Sequence, residues 1–105
     1  MKTYIGIDPG KSGALAIIEC DGQVHVFPFN SVNYETALGH YRHDAVVCCV
    51  EKVSAMPGQG VVSMFNFGHN LGFIEGLLCA NHIPYQMVPP QTWKKEFSLT
   101  MLWLF

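Results

Sequence analysis

Two carboxylates stand where the neighbouring residues could put them to chemical use. Asp8 follows the apolar stretch Tyr4, Ile5, Gly6, Ile7 and precedes Pro9 and Gly10, and Glu51 closes the run Ala45, Val46, Val47, Cys48, Cys49, Val50. A strand fixes a carboxylate at its end while a Pro-Gly turn carries the backbone away, which suits a hard, oxygen-seeking cation such as Mg²⁺ or Mn²⁺. If the two strands lie side by side, Asp8 and Glu51 meet at one rim, and two close carboxylates repel unless a cation or a proton stands between them. Plainer readings exist for each. Asp8 can be a turn residue that accepts from the next backbone amides, and Glu51 a solvated strand-end charge paired with Lys52 or Lys11.

The elements that must position these residues follow from pattern. Residues 3–8 read as a strand, residues 14–20 as a second, and residues 23–29 as a third with Val24, Val26 and Phe27 turned inward. Asp21-Gly22 signals a two-residue hairpin between the last two. Residues 33–43 suit a short helix capped by Ser31 or Asn33, with Tyr34, Ala37, Leu38 and Tyr41 on one face. Residues 44–52 form a strand apolar on both sides, as expected in the middle of a covered, parallel-type sheet. A Pro/Gly loop at residues 54–60 leads into a long helix over residues 61–81, whose Met64, Phe67, Leu71, Ile74 and Leu78 recur at helical spacing. Residues 83–88 are a short strand stopped by Pro89-Pro90, and residues 91–97 suit one or two helical turns. The order predicts an α/β fold: a three-stranded antiparallel meander, then β-α-β additions to a mixed sheet with helices on its faces.

As an ordered set these segments resemble a known family. Ile5-Gly6-Ile7-Asp8-Pro9-Gly10 followed by a hairpin looks like the opening of RuvC-like Holliday junction resolvases, and Val50-Glu51-Lys52-Val53 is similar to their second acidic motif. Met56-Pro57-Gly58-Gln59-Gly60-Val61-Val62-Ser63-Met64-Phe65-Asn66-Phe67-Gly68, running on through Gly72 and Gly76, resembles the loop and helix of phage-type members. Ile83-Pro84-Tyr85 and Val88-Pro89-Pro90-Gln91-Thr92-Trp93-Lys94-Lys95 resemble the segment that follows. The likeness covers nearly all of residues 1–97, with residues 98–105 an unmatched hydrophobic tail. It implies an RNase H-like fold, branched DNA as partner, and phosphodiester hydrolysis by two cations roughly 3.5–4 Å apart. Asp8 would bridge the cations and Glu51 would hold one. The family's remaining acidic residues lie on a later helix beyond a basic stretch, whereas this sequence ends at Phe105. The resemblance therefore implies a truncated or frameshifted product that lacks the C-terminal helix and holds Mg²⁺ or Mn²⁺ weakly, if at all. The reading frame beyond Phe105 would show what was lost.

Other features carry paired readings. Gly68, Gly72 and Gly76 fall every fourth residue on one helix stripe, each costing about 1 kcal/mol relative to Ala, which predicts close packing within the chain or a homodimer contact. Gly58, Gln59 and Gly60 permit close approach of a phosphate to a helix N-terminus, and Met56 or Phe65 could wedge between bases; the alternative is an ordinary surface loop with a core Phe. Lys11, Lys52, Lys94 and Lys95 are candidate phosphate contacts or solvated lysines, and Glu75 sits on the long helix with its direction open. The five histidines lack metal-ligand spacing, and Trp93 and Trp103 read as core or interface residues. Cys20, Cys48, Cys49 and Cys79 form no CxxC pair and read as buried free thiols. Leu99, Met101, Leu102, Trp103, Leu104 and Phe105 predict self-association.

Composition bounds these readings. The 105 residues suit one domain, and 50% hydrophobic content with 13% charged residues excludes a disordered chain. No apolar run approaches the roughly 18 residues of a membrane span, and Asp8-Pro9-Gly10 breaks the N-terminal stretch before it resembles a signal peptide, so a cytoplasmic protein is expected. A net charge of −2 gives no global attraction to DNA, so any nucleic-acid contact must be local. Two competing functions stand beside the nuclease: a non-catalytic oligomeric nucleic-acid-binding module of the same fold, and an actin-like ATPase fragment. The ATPase calls for further Gly-rich phosphate loops, which the sequence lacks.

Overall fold

A computed structural model describes residues 2–10, 13–42, 45–52 and 60–89. The expected turns at residues 91–97, the tail at residues 98–105, and Lys11, Met56, Gly58, Gln59, Lys94, Lys95 and Glu96 lie outside the described residues. Five strands, β1 (Thr3–Ile7), β2 (Ala14–Ile18), β3 (Val24–Pro28), β4 (Val46–Glu51) and β5 (Tyr85–Val88), form one sheet in the order β3-β2-β1-β4-β5. β2 runs antiparallel to both β1 and β3, while β4 runs parallel to β1 and β5. The fold is the α/β mixed sheet that the order of elements predicted.

Helix α1 (Ser31–Tyr41) carries the chain from β3 to β4, and α2 (Val61–Ala80) carries it from β4 to β5. Both crossovers advance across the sheet in the same direction, so a common handedness lays both helices on the same face. Tyr34, Ala37, Leu38 and Tyr41 from α1 join Ile74 and Leu78 from α2 in one core with Ile5, Ile7, Leu15, Ile17, Cys48, Val50 and Ile83. Every second residue of β1 points into this core, as a strand's two-residue period requires. The opposite face presents Tyr4, Ile18, Val24, Val26 and Val47, the last 37% exposed. β4 is thus central but covered on one side only among the described residues, and its apolar run does not mean burial on both. No helix among the described residues is long and apolar enough to cross a membrane.

The structure overturns the expected inward placing of Val24 and Val26 on β3. Val24 and Val26 are about 60% exposed; Phe27 faces the core side as expected, and His25 joins it there in their place. The cause is loop length. Glu19 N–H donates to the Gln23 carbonyl at 2.8 Å and Gly22, at φ 90°, donates back to Glu19, which leaves Cys20, Asp21 and Gly22 as a three-residue loop. The extra residue shifts the register by one, pairing Ile17 with His25 and Leu15 with Phe27.

Helix α1 begins earlier than its apolar spacing suggested. Asn30, not Ser31 or Asn33, is the cap, and its side chain accepts from the Val32 and Asn33 amides. α2 ends in a left-handed cap: His82, at φ 56°, donates to Cys79, and Ile83 donates back to Leu78 at 2.9 Å. Only the C-terminal half of α2 is buried, and Met64 lies at the surface. Gly68, Gly72 and Gly76 are exposed, and among the described residues a Cβ at any of them would meet nothing within 4 Å, so the close packing expected of them is not made with the described part of the chain. Of the cysteines, Cys48 is buried and Cys49 half-buried, but Cys20 and Cys79 are exposed, which corrects the expectation that all four are core thiols. Burial, and then the neighbouring Cys49, push the Cys48 thiol up to about 12.

Candidate metal centre

Asp8 and Glu51 are brought together by register. β1 and β4 pair in parallel with Ile7 opposite Val50, and each carboxylate is the next residue along its strand. Neighbouring strands lie about 4.8 Å apart, so the two acidic residues stand side by side at one rim of the sheet. Asp8 is exposed and Glu51 half-buried. Glu51 also pairs with Val88 of β5, and Lys52 N–H donates to the Val88 carbonyl at 2.8 Å, which extends the ladder past the acidic position.

The turn after β1 is built around the Asp8 carboxylate. Asp8 N–H donates to the Ala14 carbonyl at 2.9 Å, and Gly10 N–H donates to Asp8 Oδ1 at 3.0 Å. The turn reading of Asp8 is therefore met, and because a carboxylate accepts several bonds the turn contact leaves lone pairs for other partners. Pro9 is fully buried beneath it. Gly13 donates to the Gly10 carbonyl at 2.9 Å and lies so close that a Cβ would strike the Asp8 carbonyl oxygen, with Gly10 O only 2.7 Å away. A Cβ on Gly10 would lie 3.2 Å from Asp8 Oδ1. Gly13 thus lets the turn close against the Asp8 backbone, and Gly10 leaves the carboxylate uncrowded.

The donor set fits a hard divalent cation in kind. Both groups offer carboxylate oxygens, and Mg²⁺ is commonly held by one or two carboxylates with water completing its octahedron. Among the described residues no three of His, Cys, Asp and Glu gather, so the donor set there stops at two.

Sequence reasoning missed Tyr34. Its ring is fully buried on α1, edge-on to Phe29 with centroids 5.2 Å apart, and its hydroxyl is a buried polar atom without a hydrogen-bond partner among the described residues. Leaving such a group unsatisfied costs about 1–3 kcal/mol. Burial pushes the phenol up to about 12, and the negative charge of Asp8 adds to the shift. The available signal was a tyrosine at an inward position of an otherwise apolar helix face: a polar tip entering a core needs a destination.

Of the other candidates, Gly60 begins α2 with extended backbone and Lys52 is exposed beside Glu51. Phe65 is 73% exposed, which overturns its reading as a core residue. Glu75 accepts from Tyr85 Oη–H at 2.7 Å, and this bond heads the causes that raise Tyr85 to about 12. Away from the Asp8 rim, Glu19 accepts from Tyr41 Oη–H at 2.7 Å and contacts His25 Nε2 at 3.1 Å.

No protein-family profile matches the chain, and no curated protein matches it at significance. Solved structures do. The chain resembles the T. thermophilus RuvC in complex with Holliday junction substrate at a TM-score of 0.67 and 14% identity, over 90% of this chain and 69% of that one. It resembles a further Thermus thermophilus RuvC structure at a TM-score of 0.56 and 15% identity, over 89% of this chain and 67% of that one. The likeness establishes a RuvC-like, RNase H-like fold.

Proposed function

We propose that this chain is a RuvC-like crossover-junction endodeoxyribonuclease domain, acting on the phosphodiester backbone of branched DNA through a divalent cation held at Asp8 and Glu51. The observation that carries the reading is the parallel register of Ile7 with Val50, which makes two carboxylates neighbours at a strand-end rim. A cation bound there would polarise a phosphoryl oxygen and lower the pKa of its water. Asp8 and Glu51 supply the negative oxygens, and the Gly10 N–H steadies Asp8. Lys52, with Lys11, Gly58, Gln59, Gly60, Lys94 and Lys95, supplies the DNA contacts; this set is a sequence-based assignment.

The two ligands found among the described residues give weak Mg²⁺ or Mn²⁺ binding and slow cleavage. Mn²⁺ titration of the wild type, Asp8→Asn and Glu51→Gln tests the site, and cleavage of a four-way junction in Mg²⁺ or Mn²⁺ tests the activity. Binding that survives both substitutions would refute the assignment.

A second reading is a non-catalytic, self-associating nucleic-acid-binding module of the same fold. It is favoured by the exposed Val61, Val62 and Phe65 on α2, continued by a glycine stripe that nothing among the described residues covers. In either reading α2 is the proposed homodimer surface. Light scattering after size exclusion checks it: a monomer at high concentration contradicts it. Junction binding without metal-dependent cleavage selects the second reading.

A further inference from the structure

The face of the sheet turned away from α1 and α2 has a relief that the strand register fixes. Val24, Ile18, Tyr4 and Val47 stand side by side across β3, β2, β1 and β4, because Ile18 pairs with both Val24 and Tyr4, and Tyr4 with Val47. All four are exposed. One step nearer the Asp8 rim, the next row is Val26, Ala16, Gly6 and Cys49. A Cβ on Gly6 would meet nothing within 4 Å among the described residues. A ridge of large apolar side chains, about 14 Å across at the usual strand spacing, thus borders a shallow trough floored by Ala16, Gly6 and Cys49. No described element lies over it. A contiguous apolar patch of this kind marks a place where something docks.

The chain itself supplies the occupant. β5 is an edge strand whose Val88 pairs with Glu51, so the chain leaves the sheet at the rim end of this face and is free to pass round the edge. Residues 90–105 follow. Gly6 lies two strands in from β5, about 10 Å, and a layer packed on a sheet stands about 10 Å above it. Residues 90–97 reach about 26 Å when extended, which is more than that path requires. They include the charged Lys94, Lys95 and Glu96, whereas residues 98–105 hold Leu99, Met101, Leu102, Trp103, Leu104 and Phe105 and no charge. Setting that segment on an apolar face strands no ion. A tether this short holds it at a local concentration on the order of millimolar, so in more dilute solution the chain's own copy outcompetes a neighbour's.

We propose that residues 98–105 dock back on this face of their own sheet, with their apolar side chains over Ala16, Gly6 and Cys49 and against the ridge centred on Tyr4.

The full chain carries a reporter for the test, because Cys49 sits half-buried in the trough. In a background of Cys20→Ser and Cys79→Ser, which removes the two exposed thiols, the changes Leu99→Cys, Met101→Cys, Leu102→Cys and Leu104→Cys are made in turn and the protein is oxidised with copper phenanthroline. At least one introduced thiol should form a disulfide with Cys49 inside a monomer, mapped by peptide mass spectrometry, lost in Cys49→Ser, and constant in yield over a roughly hundredfold dilution. A disulfide between two chains whose yield falls on dilution overturns the proposal in favour of a second copy's tail. No disulfide with Cys49 at any of the four positions overturns it outright. A second measurement leaves the native cysteines in place. With Trp93→Phe, Trp103 is the sole tryptophan, and Tyr4→Glu, or Val47→Glu should the first fail to fold, ought to shift its emission to the red with the far-ultraviolet circular dichroism unchanged. Emission that neither charge moves also overturns the docking.

Discussion

Replacing Gly13 with alanine should destabilise the protein by about 2–5 kcal/mol. An alanine Cβ there would run into the Asp8 carbonyl oxygen and approach the Gly10 carbonyl oxygen to 2.7 Å. Both obstacles are backbone atoms, so no side-chain rotation relieves the overlap. The turn must move away from β1, and it is tied there by Gly13 N–H to Gly10 O at 2.9 Å, Asp8 N–H to Ala14 O at 2.9 Å and Phe29 N–H to Gly13 O at 3.1 Å. Losing one or two of these costs about 1 kcal/mol each, and strain from overpacking adds roughly 1–3 kcal/mol. For a domain near this size each kcal/mol lowers the melting temperature by about 4–8 °C, so a fall of roughly 8–40 °C is expected. Urea unfolding followed by circular dichroism measures it. Gly72→Ala is the matched control: a Cβ there meets nothing, and removing a helix glycine should stabilise by up to about 1 kcal/mol. A Gly13→Ala change below about 0.5 kcal/mol, the range of ordinary surface substitutions, would refute the reasoning, as would a loss of equal size in Gly72→Ala.

Other expectations follow from single contacts. His82→Gly should raise stability by about 0.5–1 kcal/mol in urea, because His82 takes the left-handed cap position of α2 at φ 56° and glycine has no Cβ to strain there. Asn30→Ala should cost about 1 kcal/mol, since Asn30 Oδ1 accepts from both Val32 and Asn33 at the start of α1. Glu19 is held below its ordinary value of 4.5, first by the Tyr41 hydroxyl and then by His25. A lowered folded-state value means that its contribution is present above 4.5 and fades as pH falls through the folded value. Tyr41→Phe should therefore flatten the acid limb of a stability–pH profile taken by urea midpoints, and an unchanged limb would refute the coupling.

The sequence carried most of the architecture, and the errors have local causes. Tyr34, Ala37, Leu38 and Tyr41 were legible as an inward face because helical spacing needs only residue types. The meeting of Asp8 and Glu51 was legible only as a condition, since nothing in the residues themselves says which strands pair; the structure supplies the pairing of Ile7 with Val50. Val24 and Val26 of β3 were misread as inward because one added loop residue shifts the register by one, which puts His25 and Phe27 on the core side. Asn30 was passed over as a cap because apolar spacing begins only at Tyr34 and does not mark the first turn. The isolation of the Tyr34 hydroxyl was invisible, because it depends on what surrounds the core and not on any motif.

The pairing of β1 with β4 joins two stretches of chain that lie far apart in sequence, and α1 must cross two strands before they can touch. Neither acidic group has its neighbour until that crossover is in place. Occupancy by a cation would then act as a clasp on the closed arrangement, favouring the folded chain over the unfolded one by mass action. Resistance to unfolding should rise with Mn²⁺ concentration, and a peptide spanning either strand alone should have no comparable appetite for the ion.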